Sequence, residues 1–471
     1  MTDSREAVIL SAMWAPPRQS PRYPPAASQS THRPASTHRL ASTHRPASTH
    51  RLASTHRPAS THRPASTHRL ASTHRLVAAS IACAAVACAA VPTAVAWAAS
   101  PGRIDSHLGA VVAGSRAIGL GGAVCAVAEG ADSEQINPAA VAVRSAAFAD
   151  AWFDWDFHLT ALTSLGTGLD LDMSGADSRD VAQRAETFGV RLSFGALAVS
   201  IQAMVNNYQR SALASDGVLR GYAFESRVGG IGVGYVFADG EWVIGTLIQF
   251  GVATLRQIDT STAVHFGSAL APRSFGVLYA PRQRRFRLGA ALQLPVFMTQ
   301  ERAAVFTGAP ITQLGSLPVP TAVEVGTTLT LGAVWQLLGH PGNHAVRLGE
   351  APAVRPGWRG VPLLLATDVL LYGPVQQGIG VAGYLAGPTE ASGRSANFGL
   401  RVGVEAEVIE RRLRVRTGGY YEPRRFGGVG RGHFTGGADV RLSVWLDWRI
   451  GVFWDVAPQF SNTGLSLGLW H

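Results

Sequence analysis

The chain has 471 residues, of which 46% are hydrophobic and only 15% charged, against about 25% charged in ordinary soluble domains. Its formal charge of +10 sits almost wholly in residues 1–98, which hold 11 Arg and two acids (+9), while the other 373 residues hold 30 Arg and 29 acids (+1). A nucleic-acid partner inferred from the overall basicity therefore loses its support once the leader is set aside.

Residues 1–72 form a low-complexity leader. "STHR" recurs eight times at a period of six, separated by Pro-Ala or Leu-Ala. That period suits neither a helix nor a heptad, and Pro recurs inside it, so disorder is expected. A His-rich arm for metals or anionic surfaces is the alternative. Residues 73–98 follow a different rule. Arg75 supplies a positive flank, Leu76 to Ala90 an apolar core, and Ala96-Trp97-Ala98 a small-x-small cleavage site. The pattern predicts a cleaved export signal. A transmembrane anchor is the competing reading, weakened by Pro92, and Cys88 raises a lipoprotein site. If the signal is removed, Cys125 is the one cysteine left, and it has no disulfide partner within the chain.

From residue 145 the apolar residues alternate. In 284–298, Phe286, Leu288, Ala290, Leu292, Leu294 and Val296 share one parity, and Arg285, Arg287, Gly289, Ala291 and Gln293 the other. In 396–408, Phe398, Leu400, Val402, Val404 and Ala406 oppose Gly399, Arg401, Gly403, Glu405 and Glu407. Residues 441–455 repeat this, with Ile450 and Val452 opposing Arg449 and Gly451. Alternation places one set on each face of a strand. About fourteen such segments follow one another, many long enough for the 9–11 residues that a barrel strand needs to cross a bilayer. Trp152, Trp155, Trp242, Trp335, Trp448 and Trp454 fall toward segment ends, as interface aromatics do.

The fold class expected is all-β: a transmembrane antiparallel barrel of about 14 strands over 144–471, because a sheet in hydrocarbon must close to pair every backbone group. The polar parity then faces the lumen. Arg401, Arg414, Arg416 and Arg441 become candidate ligand-binding residues there, with ion pairing to Glu405, Glu407 and Asp447 as the competing role. Between Val228 and Ile231 the apolar parity changes at Gly229-Gly230, which predicts a β-bulge and a strand kink. The chain ends "NTGLSLGLWH", like a C-terminal barrel strand, except that His471 takes the in-phase last position and Trp470 is one out.

Residues 114–142 fit none of this. "GSRAIGLGGAVCAVAEGADSEQINPAAVA" is rich in Gly and Ala and alternates nowhere. With Arg116, Gly121-Gly122-Ala123, Glu129 and Asp132, and the tripeptide Asn137-Pro138-Ala139 set between an export signal and a barrel, it resembles the N-terminal region of the FadL/TodX family of outer-membrane transporters. The resemblance implies a small hatch over 99–143 inside a fourteen-stranded barrel. The hatch motif residues would be Arg116, Gly121, Gly122, Asn137, Pro138 and Ala139. It also implies passive uptake of long-chain fatty acids or other hydrophobic compounds, and sideways release through a kinked strand, for which Gly229 and Gly230 are the candidates. The physics agrees: small residues pack against a wall without filling a lumen, and Pro138 biases Asn137 to extended geometry.

The expected location is the outer membrane of a diderm bacterium. Partners would be hydrophobic small molecules, outer-membrane lipid and the barrel-assembly machinery, with no cofactor and no metal. An enzyme is not expected, since no nucleophile motif accompanies the histidines. Gly119-x-Gly121 lacks the third glycine of a nucleotide loop. The alternative is a non-transporting FadL-like surface protein with a structural, secretion-associated or host-contact role. The Pro- and Gly-rich stretch 337–360 is a candidate partner-binding loop.

Overall fold

Fourteen wall strands follow one another and close into a ring. In a computed structural model, the described residues are 102–469 except 107–108, 144–150, 167–168, 172, 174–180, 214–218, 238–239, 261, 283, 301–310, 339–361, 387–390, 394, 426–429 and 443–446. The repeat leader, the export signal and most of the 337–360 loop lie outside the described residues.

The wall begins with β2 (Phe153–Ser164), β3 (Val181–Phe194), β4 (Leu197–Leu213), β5 (Leu219–Phe237) and β6 (Trp242–Gln257). It continues through β7 (Ala263–Gly267) with β8 (Ala271–Tyr279), β9 (Phe286–Gln293) with β10 (Val296–Gln300), and β13 (Ala322–Val325) with β14 (Thr328–Leu338). A hairpin of two-residue strands, β11 (Gln313–Leu314) and β12 (Leu317–Pro318), stands apart. The remaining wall strands are β15 (Leu363–Tyr372), β18 (Asn397–Ile409), β19 (Leu413–Glu422), β20 (Arg431–Arg441), β21 (Trp448–Ala457) and β22 (Phe460–Leu469). Each pairs antiparallel with the next, and β22 returns to β2, from His158↔Gly468 to Ser164↔Asn462. Closure leaves no long edge, as hydrocarbon requires.

The two faces differ as alternation demands. Leu159, Ile201, Ile231, Leu331, Phe398, Phe434 and Leu465 are exposed on the outside, while Arg287, Glu405, Arg416, Asp439 and Arg449 are buried within. Near one end of the wall, aromatics meet side by side. Phe157 packs on Trp448 with centroids 5.1 Å apart, Trp242 on Tyr279 at 4.6 Å, and Phe286 lies against Trp335 at 5.9 Å. Such rings suit a boundary between apolar and wet surroundings.

The expected kink at Gly229-Gly230 is absent. The register of β5 runs without a shift against β4 from Leu213↔Leu219 to Leu197↔Tyr235, and against β6 from Tyr222↔Gln257 to Phe237↔Trp242. The backbone does not slip; the lumen chemistry changes. Phe224 is buried inward in an apolar cluster at one end, Gly230, Gly232 and Gly234 take the same face further on, and the apolar residues beyond are the lipid-facing ones.

A true slip occurs at Leu294-Pro295. The alternation of 284–298 assigns Val296 to the outer face with Leu288, yet Val296 is buried and Phe297 is exposed. Proline has no N–H to give the ladder, so β9 stops at Gln293 and β10 starts one residue out of phase. Neighbouring strands break at the same level. β6 shifts register against β8 between Leu247 and Ile248, and β13 is parted from β14 by Gly326-Thr327. Past Thr328↔Tyr372, β14 and β15 no longer meet. There β1 (Arg103–Asp105) inserts, parallel both to β13 and to β16 (Gly378–Gly380). β16 pairs in turn with β17 (Ala391–Ser392).

Candidate functional site

The N-terminal segment 109–143 is buried against the inner wall. Its helix is a single turn, Ser115–Gly119, set against β20 and β21. Its other ordered piece is the 3₁₀ turn Pro138–Ala142, set against β5, β6 and β8. Asn137 is extended at φ −134°, ψ 108°, and its Oδ1 accepts from Ala139 N at 3.0 Å. Its Nδ2 donates to Cys125 O at 2.6 Å and to Val277 O of the wall at 3.3 Å. One side chain thus caps the turn, ties the segment to itself and ties it to β8.

Glycines on the wall make the bed for this turn. A Cβ on Gly276 would stand 2.0 Å from Asn137 Oδ1, and one on Gly245 would stand 2.1 Å from Pro138 O. Within the segment, Gly121 (φ +64°) lies on the backbone of Gly419, and Gly122 (φ +78°) lies against Arg401 and Val111. Both conformations are ones that side chains rarely adopt.

Wall side chains add to the backbone bonds that the segment makes through its own turns. Asp156 accepts from Ala131 N at 2.6 Å and Asp368 from Cys125 N at 2.9 Å. Arg191, fully buried and paired to Asp154 at 2.8 Å, donates to Val143 O. Arg287 donates to Val127 O at 3.2 Å, and Thr435 to Gly119 O at 3.3 Å.

Charges alternate along one continuous path between segment and wall. Asp132 pairs with Arg449 at 2.9 Å, Arg449 with Asp439 at 2.8 Å, and Asp439 with Arg416 at 2.7 Å. Arg416 then meets Glu405 at 2.5 Å, Glu405 meets Arg116 at 2.7 Å, Arg116 meets Glu129 at 3.0 Å, and Glu129 meets Arg287 at 2.6 Å. Asp132, Arg116 and Glu129 belong to the segment and the others to the wall. Burial alone would raise the carboxyl pKa of Glu129, but Arg287 and Arg116 outweigh it and hold it at about 2. Glu134 lacks such a partner. Burial lifts its pKa to about 8, against the pull of the Ser200 hydroxyl and of Arg191, and Asp156 adds to the rise.

The four arginines picked out by strand parity separate here. Arg416 is spent on Glu405 and Asp439, Arg414 pairs with Glu407 at 3.1 Å, and Arg441 pairs with Asp447. None of these three lines the main cavity. Arg401 does. It reaches Gly122 O at 3.3 Å and Tyr372 Oη at 3.5 Å, and makes no ion pair among the described residues. The cavity, about 230 Å³, lies between the segment and the wall. Val111, Ile136 and Pro138 line it from the segment, and Met204, Val228 and Leu370 from the wall. Ser274, Gln293, Val296 and Gly326 place it beside the interrupted sector. Parity shows which residues face inward; it does not show which charges cancel. The inward glutamines of this cavity, Gln202 and Gln249, sit on lumen parity and escaped notice because they carry no charge.

No model of a protein family matches the chain, and no curated protein matches it. Solved structures that resemble it include a Pseudomonas aeruginosa FadL homologue, at 12% identity and a TM-score of 0.44 over 79% of this chain and 98% of that one. The P. putida toluene transporter TodX gives 13% identity and a TM-score of 0.43 over 78% and 99%. The Ralstonia pickettii toluene transporter TbuX gives 12% and 0.43 over 77% and 99%.

Proposed function

We propose that this chain is an outer-membrane conduit for passive uptake of hydrophobic or amphipathic small molecules, with residues 99–143 as a hatch that gates the lumen cavity. The observation that carries the reading is the position of the cavity. Segment residues form one of its sides, and its other side includes the sector where three wall strands are interrupted. A ligand resting there leaves toward the lumen only if the segment moves. It leaves sideways only through the interrupted sector, which takes the place of Gly229-Gly230 as the candidate exit. Export by a signal peptide and assembly by barrel machinery belong to the same reading.

The test is a tether. A Cβ on Gly119 would lie 3.5 Å from the Cα of Gly437, so Gly119→Cys with Gly437→Cys brings two thiols together. Full-length protein in liposomes is expected to pass a small hydrophobic fluorophore when reduced and to stop when oxidised. Equal uptake in both states sinks the gating role; no uptake in either state sinks the conduit. The charge path favours a second reading, a barrel whose segment never moves and whose role is structural or at the cell surface. Uptake that is absent under reduction, with ligand binding also absent, selects it.

A further inference from the structure

The cavity lining is mixed and not purely apolar. Beside its valines stand four primary amides, Gln135, Gln202, Gln249 and Gln293, together with Arg401. The amide oxygens of Gln135 and Gln202 are buried and have no hydrogen-bond partner among the described residues, although Gln202 as a whole is only 4% exposed. Gln249 is occupied, its oxygen accepting from the Ser274 hydroxyl at 3.2 Å. Buried amides left unmatched are uncommon in native proteins and mark a place where something else supplies the partner. Arg401 is a second such group, a cation at the cavity wall with two long neutral contacts. Asp368 lies directly across in the register of β15 and β18; its Oδ2 accepts from Cys125 N at 2.9 Å, while its Oδ1 is buried with no hydrogen bond to Arg401.

Size narrows the choice. A cavity of about 230 Å³ is below the range of roughly 300–1,000 Å³ that holds drug-sized ligands. A long acyl chain does not fit entire. We infer that the cavity selects compact amphipathic carboxylates that also carry a hydroxyl donor, with the carboxylate on Arg401, the hydroxyl on Gln202 or Gln135, and the apolar body against Met204 and Val228. A site that hydrogen-bonds a ligand hydroxyl rejects the analogue that lacks it, because its own polar group is then left bare. This inference rests on the conduit reading, since it names that conduit's cargo.

Three probes of nearly equal size isolate the groups: 4-hydroxybenzoate, benzoate and toluene, with palmitate as an unrelated lipid. Binding to the full-length protein in detergent is measured by calorimetry and by protection against unfolding. The expected order is 4-hydroxybenzoate, then benzoate, then toluene, with about tenfold per step. Gln202→Leu combined with Gln135→Leu is expected to erase the first step and keep the second. Arg401→Gln is expected to erase the second. Gly432→Ala, on the outer face of β20 with nothing within 4 Å, controls for handling and is expected to change neither. Equal binding of all three aromatics, or tighter binding of toluene or palmitate, overturns the cargo class and leaves the conduit standing. Binding of none of the four overturns both.

Discussion

Arg116 and Glu405 stand 289 positions apart in the chain and meet as a two-pronged ion pair, Nη2 to Oε1 at 2.7 Å and Nε to Oε2 at 3.0 Å, inside the wall. The fork geometry fixes orientation as well as distance, which a lysine would not do. Arg116 also holds Glu129, and Glu405 also holds Arg416. The pair is therefore one of two links, with Asp132 to Arg449, through which the segment's charges join those of β18 to β21.

Breaking one partner of a buried pair leaves the other charge bare, which costs about 3–5 kcal/mol. Arg116→Met is expected to loosen the segment by the lower part of that range, because Arg416 stays on Glu405. Glu405→Gln should cost less still, since Arg116 keeps Glu129. The double variant is expected to be less damaged than the sum of the singles. Limited proteolysis of the segment in detergent-solubilised protein reads this directly. Strict additivity would show that the pair is not coupled.

Glu134 gives the opposite sign. Its carboxyl goes from the ordinary 4.5 to about 8, so the fold prefers it neutral. Stability from that preference is complete below about pH 4.5 and is lost as the pH rises to about 8. Glu134→Gln keeps the shape without the charge. The apparent unfolding temperature of the parent protein is expected to fall between pH 5 and pH 9 by more than that of Glu134→Gln. Parallel curves would show that Glu134 is ionised in both states.

Period-two alternation made the barrel legible, because a wall between lipid and lumen writes its two environments on alternate residues. It failed at two places for one reason: apolar does not always mean outward. Phe224 and Val296 are apolar and face inward, into clusters packed against other chain segments. Read as lipid-facing, Phe224 suggested a slip at Gly229-Gly230 that does not exist. Val296, read the same way, hid the slip at Pro295 that does. The inward arginines were equally visible, and so were the acids near them in sequence: Glu405, Glu407 and Asp447 take Arg416, Arg414 and Arg441, the competing role that strand parity allowed. The contact of Asp132 with Arg449, between the inner segment and the wall, is one that no local pattern records. The abundance of glycine read only as composition, yet at Gly245 and Gly276 it is the imprint of the segment's backbone on the wall.

That imprint is testable at one atom. Gly276→Ala places a Cβ 2.0 Å from Asn137 Oδ1 and 2.8 Å from Ala139 N. Overpacking of this kind costs about 1–3 kcal/mol, here charged to the docking of the segment and not to the ring of strands. The barrel is expected to fold and keep its heat-modifiable migration on gels, while the region around Asn137 becomes open to protease. Gly432→Ala is expected to behave as the parent. A protected segment in Gly276→Ala would mean that the turn simply shifts to make room.

β1 is the joint by which the chain enters the interrupted sector. Three residues form it, held on one side by Arg103 to Glu324 at 3.1 Å and on the other by Asp105 to Arg425 at 2.8 Å. Arg103 is partly accessible, whereas Asp105 and Arg425 are buried, so the second pair carries more of the attachment. Arg425→Met takes the ion pair away from buried Asp105, and β1 is expected to detach while Ile104 leaves its apolar site. Trypsin should then cut after Arg103 at least tenfold faster than in the parent, as about 1.4 kcal/mol of lost docking already predicts. Arg425→Met with Asp105→Asn removes the buried charge as well and is expected to recover most of the protection. Fast cleavage in the parent protein itself would mean that β1 is not a fixed member of the wall, and that the interrupted sector stands open without any trigger.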